Sequence, residues 1–130
     1  MEFSNEIKDK ISIDACSLDF LTAEIHKINL LKIDTEGAEI MTLRSGPETL
    51  KKTQTVLVGL FNPYTTSRFN YEAKEAAQYL LDIGFINSFR ISANNGLVLS
   101  KLKISEETFT SPDYYLFSRQ DISHLEDFID

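Results

Sequence analysis

The run Leu30-Leu31-Lys32-Ile33-Asp34-Thr35-Glu36-Gly37-Ala38-Glu39 constrains this chain more than any other stretch. Its apolar part, Ile28 to Ile33, is short and bounded by charged or turn residues, a pattern that suits a buried parallel strand. The strand delivers two or three carboxylates to one tight turn. In open α/β sheets, ligands sit beyond the carboxyl ends of parallel strands, so Asp34 and Glu36 stand where chemistry is placed.

The flanking periodicity predicts more of the same architecture. Ser17 is a good N-cap, Asp19 suits a first turn, and Leu18, Leu21, Ile25 and Ile28 recur at helical spacing. A second helix is predicted from about Glu36 to Leu43. Ser45-Gly46-Pro47-Glu48 then breaks and restarts the chain, because Pro fits the first position of a short helix. Thr55 to Phe61 reads as a second strand, and Asn62-Pro63-Tyr64 as the turn that closes it. Tyr71 to Leu81 reads as a helix, with Gly84 fitting its C-terminal cap. Phe85 to Ile91 alternates like a strand, Asn94-Asn95-Gly96 is a turn, and Tyr114 to Phe117 is a final strand. Residues 100–112 give no clear pattern. Such alternation predicts α/β with a mainly parallel sheet and a late antiparallel strand.

At 130 residues the chain is one domain or part of one, and nine Phe and five Tyr supply bulk for a core. No apolar run approaches the ~20 residues of a membrane helix, and the N-terminus lacks a signal-peptide pattern. One cysteine, Cys16, cannot form an internal disulfide, so a cytoplasmic location is expected. Cys16 itself reads as a small buried apolar group, and His26 as a surface residue near a helix end. With no second Cys and no His cluster, the pattern gives no zinc site. The net charge is −7, and residues 121–130 form an acidic tail with Asp121, Glu126, Asp127 and Asp130 and no Lys or Arg. Without a basic stripe the chain lacks the footprint of nucleic-acid binding, while small neutral or cationic partners remain open.

Ser17-Leu18-Asp19-Phe20-Leu21, the strand Ile28 to Ile33, Asp34-Thr35-Glu36-Gly37-Ala38-Glu39 and Leu43-x-x-Gly46 together resemble the FkbM-type methyltransferases. The resemblance spans roughly residues 15–91, and the Lys-Ile-Asp-x-Glu-Gly-x-Glu core carries most of its specificity. It implies a Rossmann-like fold, S-adenosylmethionine as cofactor, and O-methylation of a small molecule or sugar. The family's glycine-rich turn and ribose-gripping acidic residue have no counterpart here, because the five glycines are scattered. Residues 1–120 therefore resemble the C-terminal half of the domain. The family usually has an acidic residue near the end of the next strand, where this chain reads Val58-Gly59-Leu60-Phe61.

On this resemblance Asp34 is the leading candidate, to orient the acceptor hydroxyl, take its proton, or hold the cofactor's amino end. Glu36 could share that role or simply favour a helix N-terminus. Glu39 reads as a solvated helix residue. Asn62 and Tyr64 are candidates to line the acceptor pocket. Asn62-Pro63-Tyr64 is also similar to the turn of amino-group DNA methyltransferases, but one Pro is missing and no basic groove exists. Asp34-x-Glu36 is similar to the first motif of proofreading-type exonucleases, yet His124 has Ile129 where that motif needs an Asp. A second function class stays open: a non-catalytic module or remnant. Without a strand on its outer side, Ile28 to Ile33 would be a naked edge that invites self-association.

Overall fold

The computed structural model describes residues 10–93, 96–122 and 124. Ten elements follow in order: α1 (Leu18–Leu21), β1 (Ile28–Ile33), α2 (Glu39–Arg44), α3 (Pro47–Lys51), β2 (Thr53–Leu60), α4 (Asn62–Phe69), α5 (Ala73–Asp82), β3 (Asn87–Ala93), β4 (Leu97–Lys101) and β5 (Asp113–Ser118). They build one five-stranded sheet in the order β1-β2-β5-β3-β4.

A mainly parallel sheet is not what forms. Only β1 and β2 pair in parallel; β2–β5, β3–β5 and β3–β4 are all antiparallel. The cause is the position of β5. Strands β1, β2 and β3 run in one direction, as strand–helix alternation requires. The last strand then inserts between β2 and β3 against both of them, which replaces a parallel contact by two antiparallel ones. Strand β4, which the sequence pattern did not reveal, hairpins back from β3; of the turn at Asn94-Asn95-Gly96, the first two residues lie outside the described residues.

Alternation along the central strands places the core. Val56, Val58 and Leu60 of β2 share a face with Tyr115 and Phe117 of β5, since Val56 stands opposite Phe117 and Val58 opposite Tyr115. Ile40 and Leu43 of α2, Leu50 of α3, and Ala73, Ala76, Ala77 and Leu80 of α5 join them in one buried cluster. The apolar stripe of α5 is therefore a core stripe. The other face of the sheet carries Lys32, Leu57, Gly59, Tyr114 and Leu116, all partly or fully exposed.

Several boundaries move for local reasons. The first helix is a single turn: Ser17 caps it by accepting the Phe20 amide at 3.1 Å, but Thr22 ends it, and Ile25 is exposed before the chain enters β1. Asp19 does sit in that first turn. Its larger task is across the fold, where it accepts hydrogen bonds from the Glu48 and Thr49 amides at the start of α3. That helix begins at Gly46-Pro47, which offers no side-chain cap of its own. Cys16 is exposed rather than buried. Among the described residues strand β1 pairs only with β2, and of its six residues only Ile33 is buried. Gly84, with a φ of 103°, follows the α5 cap residue Ile83 as the C-terminal pattern required. Most of the acidic tail lies outside the described residues. No helix among the described residues is long and apolar enough to cross a membrane.

Candidate functional site

The C-terminal ends of β1 and β2 open onto a cleft of about 140 Å³. Asp34, Glu36, Gly37 and Glu39 form one wall, Gly59 to Phe61 the floor, and Tyr64, Asp113 and Tyr114 close it.

The wall is built by a turn that a helix could not supply. Glu36 and Gly37 adopt φ values of 51° and 120°, in the left-handed region. This is why α2 starts at Glu39 and not at Glu36. Glycine is required at position 37 on a second count: a Cβ there would stand 2.9 Å from the Phe69 ring and from the Tyr64 carbonyl.

Glu39 holds that turn in place, and here the structure overturns the solvated reading. Its carboxylate is buried at 1% exposure. It accepts the Thr35 amide at 2.9 Å, the Thr35 hydroxyl at 3.1 Å, and the Gly37 amide on both oxygens at 3.1 and 3.0 Å. Burial of a carboxylate is tolerable only when its lone pairs are filled in this way. Tyr71 closes the arrangement by donating to the Gly37 carbonyl at 2.7 Å and receiving the Ile40 amide at 3.3 Å. Burial pushes the Tyr71 phenol up to about 12, with the nearby Glu39 charge adding to it, so the hydroxyl stays a donor across the physiological range. Helical periodicity cannot reveal such a residue, because the partners of Glu39 are backbone amides of a non-helical turn.

Asp34 and Glu36, the two candidates from sequence, both reach the cleft but differ in surroundings. Glu36 is exposed and meets Arg68 at 3.7 Å; the same guanidinium lies 4.9 Å from the Tyr64 ring centre. Asp34 continues the outward-facing side of β1 and reaches across the sheet to accept the Tyr114 hydroxyl at 2.6 Å. Lys32 lies 3.7 Å from the same Asp34 oxygen and 5.3 Å from the Tyr114 ring centre.

Asn62 and Tyr64 part company. The predicted turn at Asn62-Pro63-Tyr64 is instead the first turn of α4, because Pro fits a helix N-terminus as well as a loop. Tyr64 lines the cleft and packs edge-on against Phe61 at 4.9 Å. Asn62 does not line it. Its side chain donates to the Thr108 carbonyl at 2.7 Å and accepts the Ala73 amide at 2.8 Å, pinning the 102–112 loop to the start of α5. That loop is held from its other side by Glu107, which accepts the Thr108 and Phe109 amides at 3.1 Å each. Arg90 spans Glu107 and Asp113, which holds the guanidinium's pKa above its ordinary value. Asp113 thus enters the cleft wall already engaged by a cation. His26 is exposed, as read from sequence; His124 is exposed too, and neither lines the cleft. Among the described residues, no group of His, Cys, Asp and Glu is arranged to hold a metal ion.

A carboxylate with one partnered and one open oxygen, set at the end of a parallel strand pair beside aromatic rings, can orient a hydroxyl or ammonium donor and accept its proton. This defines an α/β protein with a polar cleft at its strand ends. Residues 2–86 match the family model described as the methyltransferase FkbM domain. The chain belongs to that methyltransferase family. Comparison with curated proteins and with solved structures gives no match.

Proposed function

We propose that this chain takes part in S-adenosylmethionine-dependent O-methylation of a small-molecule or sugar hydroxyl, with Asp34 as the residue that handles the acceptor hydroxyl and holds the cofactor's amino end. The observation that carries this reading is the position of Asp34: end of β1, open to the cleft, with Oδ2 occupied by Tyr114. S-adenosylmethionine, when bound, supplies a methyl group already activated for transfer, so the protein's share is alignment. Asp34 Oδ1 accepts the acceptor's O–H and takes its proton as the oxygen gains the methyl group. Tyr64 and Phe61 offer an apolar wall against which a sugar or other ring can lie.

The fit to the cofactor is partial. Sites that enclose a whole small molecule run to roughly 300–1,000 Å³, and this cleft measures about 140 Å³. It accommodates the acceptor's reacting end or the cofactor's amino end. The five glycines are scattered, and no pair has the G-x-G spacing of a glycine-rich cofactor turn. Calorimetric titration with S-adenosylhomocysteine, beside an Asp34→Ala control, tests the reading. Saturable binding that is lost in the control supports it; a folded protein that gives no heat rejects it.

One observation favours a second reading, that of an interaction module. Among the described residues β1 is paired only with β2, and Leu30 on it is 56% exposed. An open edge with an apolar side chain is a template for another strand, here the same edge of a second copy. Light scattering after size exclusion, with Leu30→Lys as comparison, decides it: a dimer that the variant dissolves supports the module, and a monomer at all concentrations rejects it.

A further inference from the structure

The row of residues that crosses the open face of the sheet at the cleft explains a feature the sequence leaves odd. Ile33 stands opposite Val58, so Asp34, one residue on, meets Gly59 of β2; Gly59 in turn stands opposite Tyr114 of β5. Asp34 and Tyr114 are therefore two strands apart, roughly 9–10 Å between backbones. They nevertheless touch at 2.6 Å. Gly59 makes this possible. A Cβ at that position would lie 2.9 Å from Asp34 Oδ1 and 3.6 Å from the Tyr114 ring. The glycine that stands near the end of the second strand, where the family usually has an acidic residue, is the gap over which the bridge closes.

We propose that Tyr114 is a positioning residue for Asp34: its hydroxyl fixes Oδ2 and leaves Oδ1 held above Gly59 at the cleft. The proposal rests on the reading of Asp34 given above. Tyr114 lies beyond residues 2–86, so the family match does not include it. The consequence for recognition is a demand for one hydrogen-bond donor, a hydroxyl or an ammonium, at a defined point. A freely rotating carboxylate would accept two donors or chelate a cation as readily. Lys32 reinforces the arrangement, placing its charge beside both Oδ2 and the Tyr114 ring.

The bridge has a spectroscopic signature. The hydrogen bond to Asp34, helped by partial desolvation and the Asp34 charge and opposed by Lys32, raises the Tyr114 phenol above its ordinary value. The experiment is a pH titration of the chain labelled with ¹³Cζ-tyrosine, with the Tyr114 resonance assigned through Tyr114→Phe, repeated in Asp34→Asn. In parallel, S-adenosylhomocysteine is titrated calorimetrically into wild type and Tyr114→Phe. The expected result is a Tyr114 phenol that titrates above ~10 in wild type, falls toward that value in Asp34→Asn, and a loss of about tenfold in affinity in Tyr114→Phe, the scale of one charged hydrogen bond. A Tyr114 resonance that ignores Asp34→Asn overturns the proposal. So does unchanged affinity in Tyr114→Phe where wild type binds. If wild type does not bind, the cofactor reading fails, and the phenol titration alone decides whether Tyr114 positions Asp34.

Discussion

Replacing Glu39 by Ala removes the group that accepts the Thr35 and Gly37 amides of the Asp34–Gly37 turn. The magnitude follows from what the carboxylate leaves behind. The Thr35 and Gly37 amides lose their acceptor, and the Gly37 amide is buried. Each orphaned donor costs ~1–3 kcal/mol, the lower part of that range applying where water can enter the space that Ala vacates. Two such donors give about 3 kcal/mol. The Tyr71–Gly37 hydrogen bond persists and limits the loss. For a chain of this length ~3–5 °C accompanies each kcal/mol, so the melting temperature falls by about 9–15 °C. Thermal unfolding followed by circular dichroism measures this, and amide hydrogen exchange locates it. The Thr35 and Gly37 amides exchange far faster in Glu39→Ala, while those of β5 change only as much as global stability dictates. Glu39→Gln keeps one acceptor oxygen but turns an NH₂ group toward donors, so it falls between wild type and Ala. A fall of under about 2 °C, with Thr35 and Gly37 exchange unaltered, would refute the claim that this buried carboxylate holds the turn.

Gly59→Ala drives a methyl group toward Asp34 Oδ1. It should break the Tyr114 bridge and return the Tyr114 phenol toward its ordinary titration range, with a stability change of under ~1 kcal/mol because the site is on the open face of the sheet; an unshifted phenol counts against the row geometry. Gly37→Ala is strained both by its φ of 120° and by contact with Phe69 and the Tyr64 carbonyl, so a loss of ~2–3 kcal/mol is expected in denaturant unfolding. Asp19 gives an acid-side effect. Desolvation works against ionisation, but the hydrogen bonds from the Thr49 hydroxyl and amide and the Glu48 amide outweigh it, and its folded-state pKa lies below 3.8. A depressed carboxylate contributes stability that is complete above its unfolded value and fades as pH falls through the folded one. The stability difference between wild type and Asp19→Asn should therefore shrink as pH drops below about 3.8, and a difference constant from pH 6 to 2 would contradict the assignment.

What the sequence determined by itself was local. Ser17 as a cap, Pro47 as a helix start, Gly84 as a helix end and the apolar stripe of α5 each rest on interactions within a few residues, and each stands in the structure where the pattern put it. The Lys-Ile-Asp-x-Glu-Gly-x-Glu run likewise announced its family and the end of a strand that carries Asp34. Tertiary structure decided the rest, because the partners lie far along the chain. The insertion of β5 between β2 and β3 sets the sheet's antiparallel character, and no periodicity within β5 encodes its neighbours. Asn62 became a pin and not a cleft residue because Thr108 and Ala73 arrive from elsewhere. Glu39 became a buried clamp because a left-handed turn aims two amides at it. Tyr114 entered the site only because Gly59 leaves space between two strands that folding, and nothing nearer in sequence, sets side by side.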